Sequence, residues 1–369
     1  MSVKFSFSAH NLKRGLAMTK LVKPTSGDFV VRFGTKGATF YSADKRRIAL
    51  VNVIADSTSE LENGWTSDEY CIPSAKMALF ESNLDSVTFV LQENAMVIQA
   101  SEGKQTRKAT VKRRADSTRR SLIPAIRWGD LSLIDAGKFG KLLRVVGCSA
   151  LVRETKTEEE MRVNQVHFHA DSECASSNAR FHASVANLDG MKLSLSIIGS
   201  DIPPIRSFCA KLEGRVGLFQ DRNKLYVVDP QTDSALVMGR VAATQPDFSP
   251  PTDDFKIEMI LSKEQLISGL DWALAALDGT QRLSCEVEGD GMKMSNNGEI
   301  FSMPVAFKSG SSFRADLPAK FLRTVVDHTD SDDVRVRFGH AQLPSIMEIS
   351  DIGDLDVHVR HYLQVMRSR

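Results

Sequence analysis

This 369-residue chain contains residues able to do covalent or metal chemistry, but their spacing does not assemble them. His167 and His169 stand two apart on a predicted strand, so they share a face and suit a metal, yet no third ligand follows at a useful spacing. Asp332 with Asp333, and the run Glu158, Glu159 and Glu160, fall in predicted turns, where acidic side chains are solvated. No phosphate-cradling glycine loop, HExxH pair or nucleophile elbow occurs. Five cysteines, Cys71, Cys148, Cys174, Cys209 and Cys285, are odd in number and widely scattered. They read as reduced thiols of a cytoplasmic protein, with neither a disulfide frame nor metal spacing. The pattern points away from an enzyme and implies no cofactor.

What does recur is positive charge on helices. In "SAHNLKRGLAMTKLV" from Ser8, Leu12, Leu16 and Thr19 share one side, and His10, Lys13, Arg14 and Lys20 gather in a wedge beside it. In "DAGKFGKLLRVVGCSAL" from Asp135, Phe139, Leu142, Leu143 and Val146 form the apolar stripe, with Lys138, Lys141 and Arg144 opposite. Three further segments each carry an aliphatic residue and then a proline just after their first residue: "CIPSAKMALFESNL", "DIPPIRSFCAKL" and "DLPAKFLRTVV". A proline suits a helix's first turn, and these segments add Lys76, Arg206, Lys211, Lys320 and Arg323. The helix from Ser262 differs, carrying Glu264 and Asp271 against Lys263. The chain as a whole is nearly neutral, 47 basic against 46 acidic residues, so a polyanion would be met by this local distribution, through its phosphates and not its base edges.

These helices belong to a larger period. The helix starts at Ser8, Asp135 and Ser262 are 127 residues apart each time, and each is suited to N-capping. β-Branched and aromatic segments broken by turn formers follow each helix, and a further strand set follows each proline-led segment. Helix, strands, helix, strands therefore occurs three times, with seams near "RRSLIPAIRW" and "PDFSPPTDDF". The expected division is 1–124, 125–251 and 252–369, an α+β fold with helices on one face of antiparallel sheets. Hydrophobic residues at 42% and charged residues at 25% suit globular domains, and no apolar run is long enough for a membrane span or signal peptide.

Three such repeats, the proline-led second helices and a tail "HYLQVMRSR" resemble the bacterial-type DNA polymerase sliding clamp, the β clamp. "QPDFSPP" from Gln245 is similar to that family's segment closing the second domain. "SSNARFHA" from Ser176 is similar to a loop in which Arg180 and Phe181 keep the family pattern, and "QLPSIMEI" from Gln342 to a last-domain strand with a proline near its start. The resemblance implies a head-to-tail homodimer whose domains close into a ring, helices lining the hole, that encircles duplex DNA and binds polymerase and clamp-loader peptides in an apolar cleft. The cleft residues it implies are Asn178, Arg180, Phe181, Pro246, Phe248, Lys320, Phe321, Pro344, Ser345, Val365, Met366 and Arg367. Family loops after the first helices add Lys20, Lys23, Arg153 and Lys156 for DNA.

At the implied subunit contact the family's apolar edge strand is replaced by "TRKATVKRR", with Arg107, Lys108 and Thr110 facing Asp271, Leu274, Leu277 and Asp278. A salt-sensitive interface is expected there. The surrounding stretch 104–120 is the most basic in the chain and is open to a second reading as a contact with DNA or a partner. A clamp-fold scaffold that recruits repair or transcription proteins is the alternative to a replicative clamp.

Overall fold

The structure is a computed structural model that describes the chain outside residues 1, 63, 81–83, 115–120, 127–128, 151–163, 169–172, 179–181, 188–192, 241–252, 277–281, 297, 311, 341–344, 354–357 and 368–369. Strand β1 (Val3–Ser8) leads into α1 (Ala9–Thr19), and the Ser8 hydroxyl accepts the Asn11 amide at 3.3 Å, the capping bond its position predicts. Then come β2 (Asp28–Gly34), β3 (Gly37–Ala43), β4 (Arg47–Ile54), β5 (Ser57–Thr58), β6 (Tyr70–Pro73), β7 (Ser86–Leu91), β8 (Ala95–Glu102) and β9 (Gln105–Lys112). Strand β10 (Ser132–Asp135) precedes α2 (Ala136–Val146). It is followed by β11 (Gln165–Phe168), β12 (Glu173–Asn178), β13 (His182–Asn187), β14 (Leu195–Ile198), α3 (Ile202–Cys209), β15 (Arg215–Gln220), β16 (Lys224–Asp229) and β17 (Ser234–Gly239).

The rest runs β18 (Phe255–Ser262), α4 (Lys263–Ala276), β19 (Arg282–Glu288), β20 (Gly291–Asn296), β21 (Glu299–Pro304), β22 (Ala306–Ser309) and β23 (Phe313–Pro318). It ends with α5 (Ala319–His328), β24 (Asp333–His340), β25 (Ile346–Asp351), β26 (Val359–Gln364) and β27 (Met366–Arg367). The Ser262 hydroxyl accepts the Gln265 amide at 3.5 Å at the start of α4.

The three proline-led segments do not fold alike. Pro203 and Pro204 sit in the first turn of α3, whereas Pro318 stands just ahead of α5 and Pro73 closes β6. After Pro73 the chain forms a 310 segment, Ser74–Phe80, in place of an α-helix. Its two buried anchors, Met77 and Phe80, are three residues apart, the spacing that a 310 turn brings onto one face.

The chain forms two compact units, residues 1–137 with 207–240, and residues 138–206 with 241–369. In the first, a five-stranded sheet (β5-β1-β7-β8-β9) accompanies an eight-stranded one (β10-β15-β16-β17-β4-β3-β2-β6). In the second, a nine-stranded sheet (β14-β11-β12-β13-β26-β25-β24-β18-β22) accompanies a five-stranded one (β21-β20-β19-β23-β27). The two large sheets cross the expected repeat boundaries. Strand β17 pairs antiparallel with β4, Ala235 opposite Leu50, and β13 pairs with β26, Ser184 opposite His361. Repeat and compact unit therefore divide the chain by different criteria.

Burial follows the pleat. Strand β3 alternates buried and half-buried residues, as a sheet covered on one face requires. Strands β16 and β17 are buried almost continuously, because Ile126 and Leu131 of the connecting segment cover the face turned away from the helices. The first unit's core is aromatic: Phe33 lies 4.8 Å from Phe5 and 5.3 Å from Phe89 between ring centroids, and Phe7 meets Phe89 edge-on at 5.5 Å.

Candidate nucleic-acid interface

Helix α1 presents its charges because its other side is anchored. Leu12, Leu16 and Met18 are buried, and Gly15 lets the helix approach β4 so closely that a Cβ there would lie 2.3 Å from a Val53 methyl. His10 and Lys13 are left exposed. Arg14 is drawn down towards two acids, 3.6 Å from Glu213 and 4.0 Å from the buried Asp229. Asp229 also accepts the Gln231 amide at 3.0 Å and the Thr232 hydroxyl at 2.8 Å. A cavity of about 140 Å³ lies against these groups, with Asn11 and Ser234 in its wall. Beyond the helix Lys20 is half-buried and Lys23 exposed, and Lys76 donates to the Thr110 carbonyl at 2.7 Å.

Helix α2 buries Phe139, Leu142, Leu143 and Val146, the stripe expected of it. Of its three cations Lys138 is exposed, while Lys141, at 3.0 Å, and Arg144 converge on the carboxylate of Asp330. Burial acts to raise the Asp330 pKa, but the two cations outweigh it and hold the carboxyl below its ordinary range. The Arg206 guanidinium is shifted down by burial and by the neighbouring charge of Arg144. Lys211 is half-buried. On α5, Arg323 binds Asp271 through Nε at 2.6 Å and Asp327 through Nη1 at 3.1 Å, and Lys320 is exposed. Of the expected cations, Arg14, Lys141, Arg144 and Arg323 are thus tethered to acids of the same chain. The tethers dilute the positive field but hold their cations in fixed orientations. Arg153 and Lys156 lie outside the described residues.

Part of the expected peptide cleft comes together. Strand β23, which ends at the start of α5, pairs with the tail: Asp316 stands opposite Met366 and Ala315 opposite Arg367. That brings the tail beside the segment carrying Lys320 and the half-buried Phe321, which packs on the core of the second unit. The Ser345 carbonyl accepts the amide of the buried Val365 at 2.7 Å. Asn178 ends β12; its side chain and those of Met366 and Arg367 are outside the description, as are Arg180, Phe181, Pro246, Phe248 and Pro344.

At the expected subunit contact, Arg107, Lys108 and Thr110 lie exposed on β9, with Arg107 bound to Glu102 at 3.0 Å. Asp271 is held by Arg323, Leu274 is half-buried against the core, and Leu277 and Asp278 are outside the described residues. Two features were not read from the sequence. Ile300 on the edge strand β21 is 64% exposed, and Asp330 neutralises α2 from 186 positions further along the chain. An Ile directly beside Phe301 in a short strand of mixed polarity gives a faint signal, and the pairing with Asp330 gives none.

The groups weighed for catalysis are occupied otherwise. His167 Nδ1 lies 2.8 Å from the Ser196 hydroxyl, and among the described residues no cluster of three metal-ligating side chains occurs. His169 is outside them. Burial pushes the thiols of Cys148, Cys209 and Cys285 up to about 12, which leaves them inert as nucleophiles. No helix among the described residues is long and apolar enough to cross a membrane.

No protein-family model and no curated protein matches this sequence. Solved structures do match over its whole length. The DNA polymerase III beta subunit of Thermotoga maritima is 16% identical with a TM-score of 0.78, each chain covered in full. A sliding clamp of Pseudomonas aeruginosa, bound to griselimycin, is 11% identical with a TM-score of 0.80, again covering 100% of both chains. That of Caulobacter crescentus is 14% identical, with a TM-score of 0.76 over 99% of this chain and all of the other. The chain has the fold of the bacterial sliding clamp. At such low identity that fold is held by core volume and sheet register, while the surface residues are this chain's own.

Proposed function

We propose that this protein is a DNA sliding clamp: three repeated domains per chain, two chains pairing head to tail into a ring that encircles duplex DNA and tethers a polymerase and other partners carrying short peptide motifs. The observation that carries the reading is which strands are left unpaired. Strand β17 is joined to β4 and β13 to β26, while β9 and β21, which end their sheets, have no outer partner among the described residues.

Matching the hairpin at 91–96 to that at 220–225 puts Lys108 where Ala235 stands. Matching 34–37 to 288–291 puts Ile300 where Leu50 stands. Since Ala235 is paired with Leu50, Lys108 of one copy then meets Ile300 of the next, and Ala109 meets Glu299. Such pairing removes two exposed edges at once, which a lone chain would otherwise carry as an aggregation hazard.

Exposed cations on α1 and α2 contact phosphates without reading bases, and at physiological salt such contacts are weak enough to permit sliding. Retention then comes from topology, and a tethered polymerase stays at high effective concentration near its primer end. The experiment loads the protein on a nicked circle and then linearises it. Loss on linearisation is the expected outcome, and equal retention on both forms refutes encirclement in favour of a scaffold that simply binds DNA.

A further inference from the structure

A second basic site lies away from the helix faces. Where β17 ends against β4, the turn 44–46 and the turn 221–223 come side by side: the Gly239 amide donates to the Arg46 carbonyl at 2.8 Å and the Arg240 amide to the Asn223 carbonyl at 2.8 Å. Between them is a cavity of about 280 Å³ whose wall includes Lys45, Arg46, Lys224 and Arg240. The acids of the two turns, Asp44 and Asp221, bond groups within those turns. Asp44 Oδ1 accepts the amides of Arg46 and Arg47 at 2.7 and 2.6 Å, and its other oxygen lies 3.8 Å from the Arg47 guanidinium. Asp221 caps its own turn through the amides of Asn223 and Lys224, both at 2.7 Å, and accepts the Tyr226 hydroxyl at 2.8 Å. Arg240 is oriented by donating from Nη1 to the Asp221 carbonyl at 2.7 Å.

The site adjoins the loop that the family resemblance implies for DNA. The segment after α1 that carries Lys20 and Lys23 is fastened to the end of β3, with the Thr25 amide on the Ala43 carbonyl at 3.0 Å and the Ser42 hydroxyl on the Val22 carbonyl at 2.5 Å. Residue 44 opens the basic turn directly after Ala43.

We propose that the cleft between the turns 44–46 and 221–223 binds the phosphodiester backbone of a nucleic acid strand, extending the contact made by the loop at Lys20 and Lys23; the assignment rests on the clamp reading. Four cations around an open cleft, Lys45 and Lys224 among them exposed, fit that ligand by charge. Val237 and Met238 in the lining are buried and Ile48 is half-buried, so an acidic peptide would find charge there but little hydrophobic anchor. Among the described residues no aromatic side chain lines the cleft to stack a base, which suits a contact independent of sequence.

The test compares the native protein with the double variant Lys45→Ala/Lys224→Ala, both changes being at exposed positions outside the core. Binding of a fluorescent duplex and of a single-stranded oligonucleotide is measured over a salt series, with a glutamate-rich peptide as control. The slope of log K against log salt should become shallower by about 1.8 for duplex or about 1.4 for single strand, whichever source of phosphates occupies the cleft. Unchanged slopes on both nucleic acids overturn the site, and so does a loss confined to the acidic peptide. Retention on circular DNA is scored separately. A native protein that stays on circles while the variant keeps its slope refutes the site alone, and one that does not stay refutes encirclement.

Discussion

Glu69 holds the segment that ends the first repeat, and neutralising it should loosen that segment. Its carboxylate is 2% exposed and gathers four donors: Arg114 Nη1 at 3.0 Å, the Leu122 amide at 3.0 Å, the Ile123 amide at 3.3 Å and the Ser121 hydroxyl. Ile123 is thereby seated on Val30 and Leu50 of the eight-stranded sheet. Burial acts to raise the Glu69 pKa, but the bonds from Ser121, Leu122, Ile123 and Arg114 outweigh it, so the carboxyl titrates below its ordinary range.

Breaking a buried charge pair by removing one partner costs about 3–5 kcal/mol. Arg114 keeps 21% of its side chain in contact with water and is partly resolvated, which brings Glu69→Gln down to about 2–3 kcal/mol. A folded-state pKa below the unfolded value means that the contribution is present above about pH 4.3 and is lost as pH falls through the folded value. The gap between native protein and variant should therefore be constant at neutral pH and close in acid. Urea denaturation at several pH values gives the gap, and hydrogen exchange at the Leu122 and Ile123 amides gives the local opening. A cost under about 0.5 kcal/mol with both amides still protected would refute the reasoning.

Asp330→Ala releases Lys141 and Arg144 from their shared carboxylate and should steepen the salt dependence of duplex binding by about 1–2 in log–log slope, read by fluorescence anisotropy; a flatter slope would mean that Asp330 positions the cations instead of masking them. Cysteines at Lys108→Cys and Ile300→Cys should form an interchain disulfide in the same double variant, whereas Lys108→Cys with Ser302→Cys, two residues out of register, should not. Sedimentation from low to high salt should show the unlinked dimer weakening, since Arg107 and Glu299 are exposed and in this register are diagonal neighbours on one face of the joined edges.

Much of the architecture was legible because it is encoded over short distances. Ser8 beside the α1 periodicity announces a capped helix, and the apolar stripe Phe139, Leu142, Leu143 and Val146 announces which side of α2 is buried, each from about a dozen consecutive residues. The repeat was legible for the same reason, as local patterns returning at one spacing. The 310 turn at Ser74–Phe80 escaped notice because its sequence resembles that of its α-helical counterparts and only the burial of Met77 with Phe80 selects the tighter winding.

Contacts between distant segments were not legible at all. The closeness of α4 to its sheet depends on Gly269, where a Cβ would fall 2.2 Å from the Met294 terminal methyl and 2.7 Å from the Phe301 ring. Side-chain type and helical period, carried by the sequence itself, determined that α1 and α2 would be amphipathic and basic. Sheet pairing between residues up to 191 positions apart decided which strands would be joined and which edges would remain open, and the folded chain decided which cations an acid would neutralise. Helix polarity depends on neighbours within a few turns, whereas charge pairing and edge identity depend on register, which exists only once the sheets have formed.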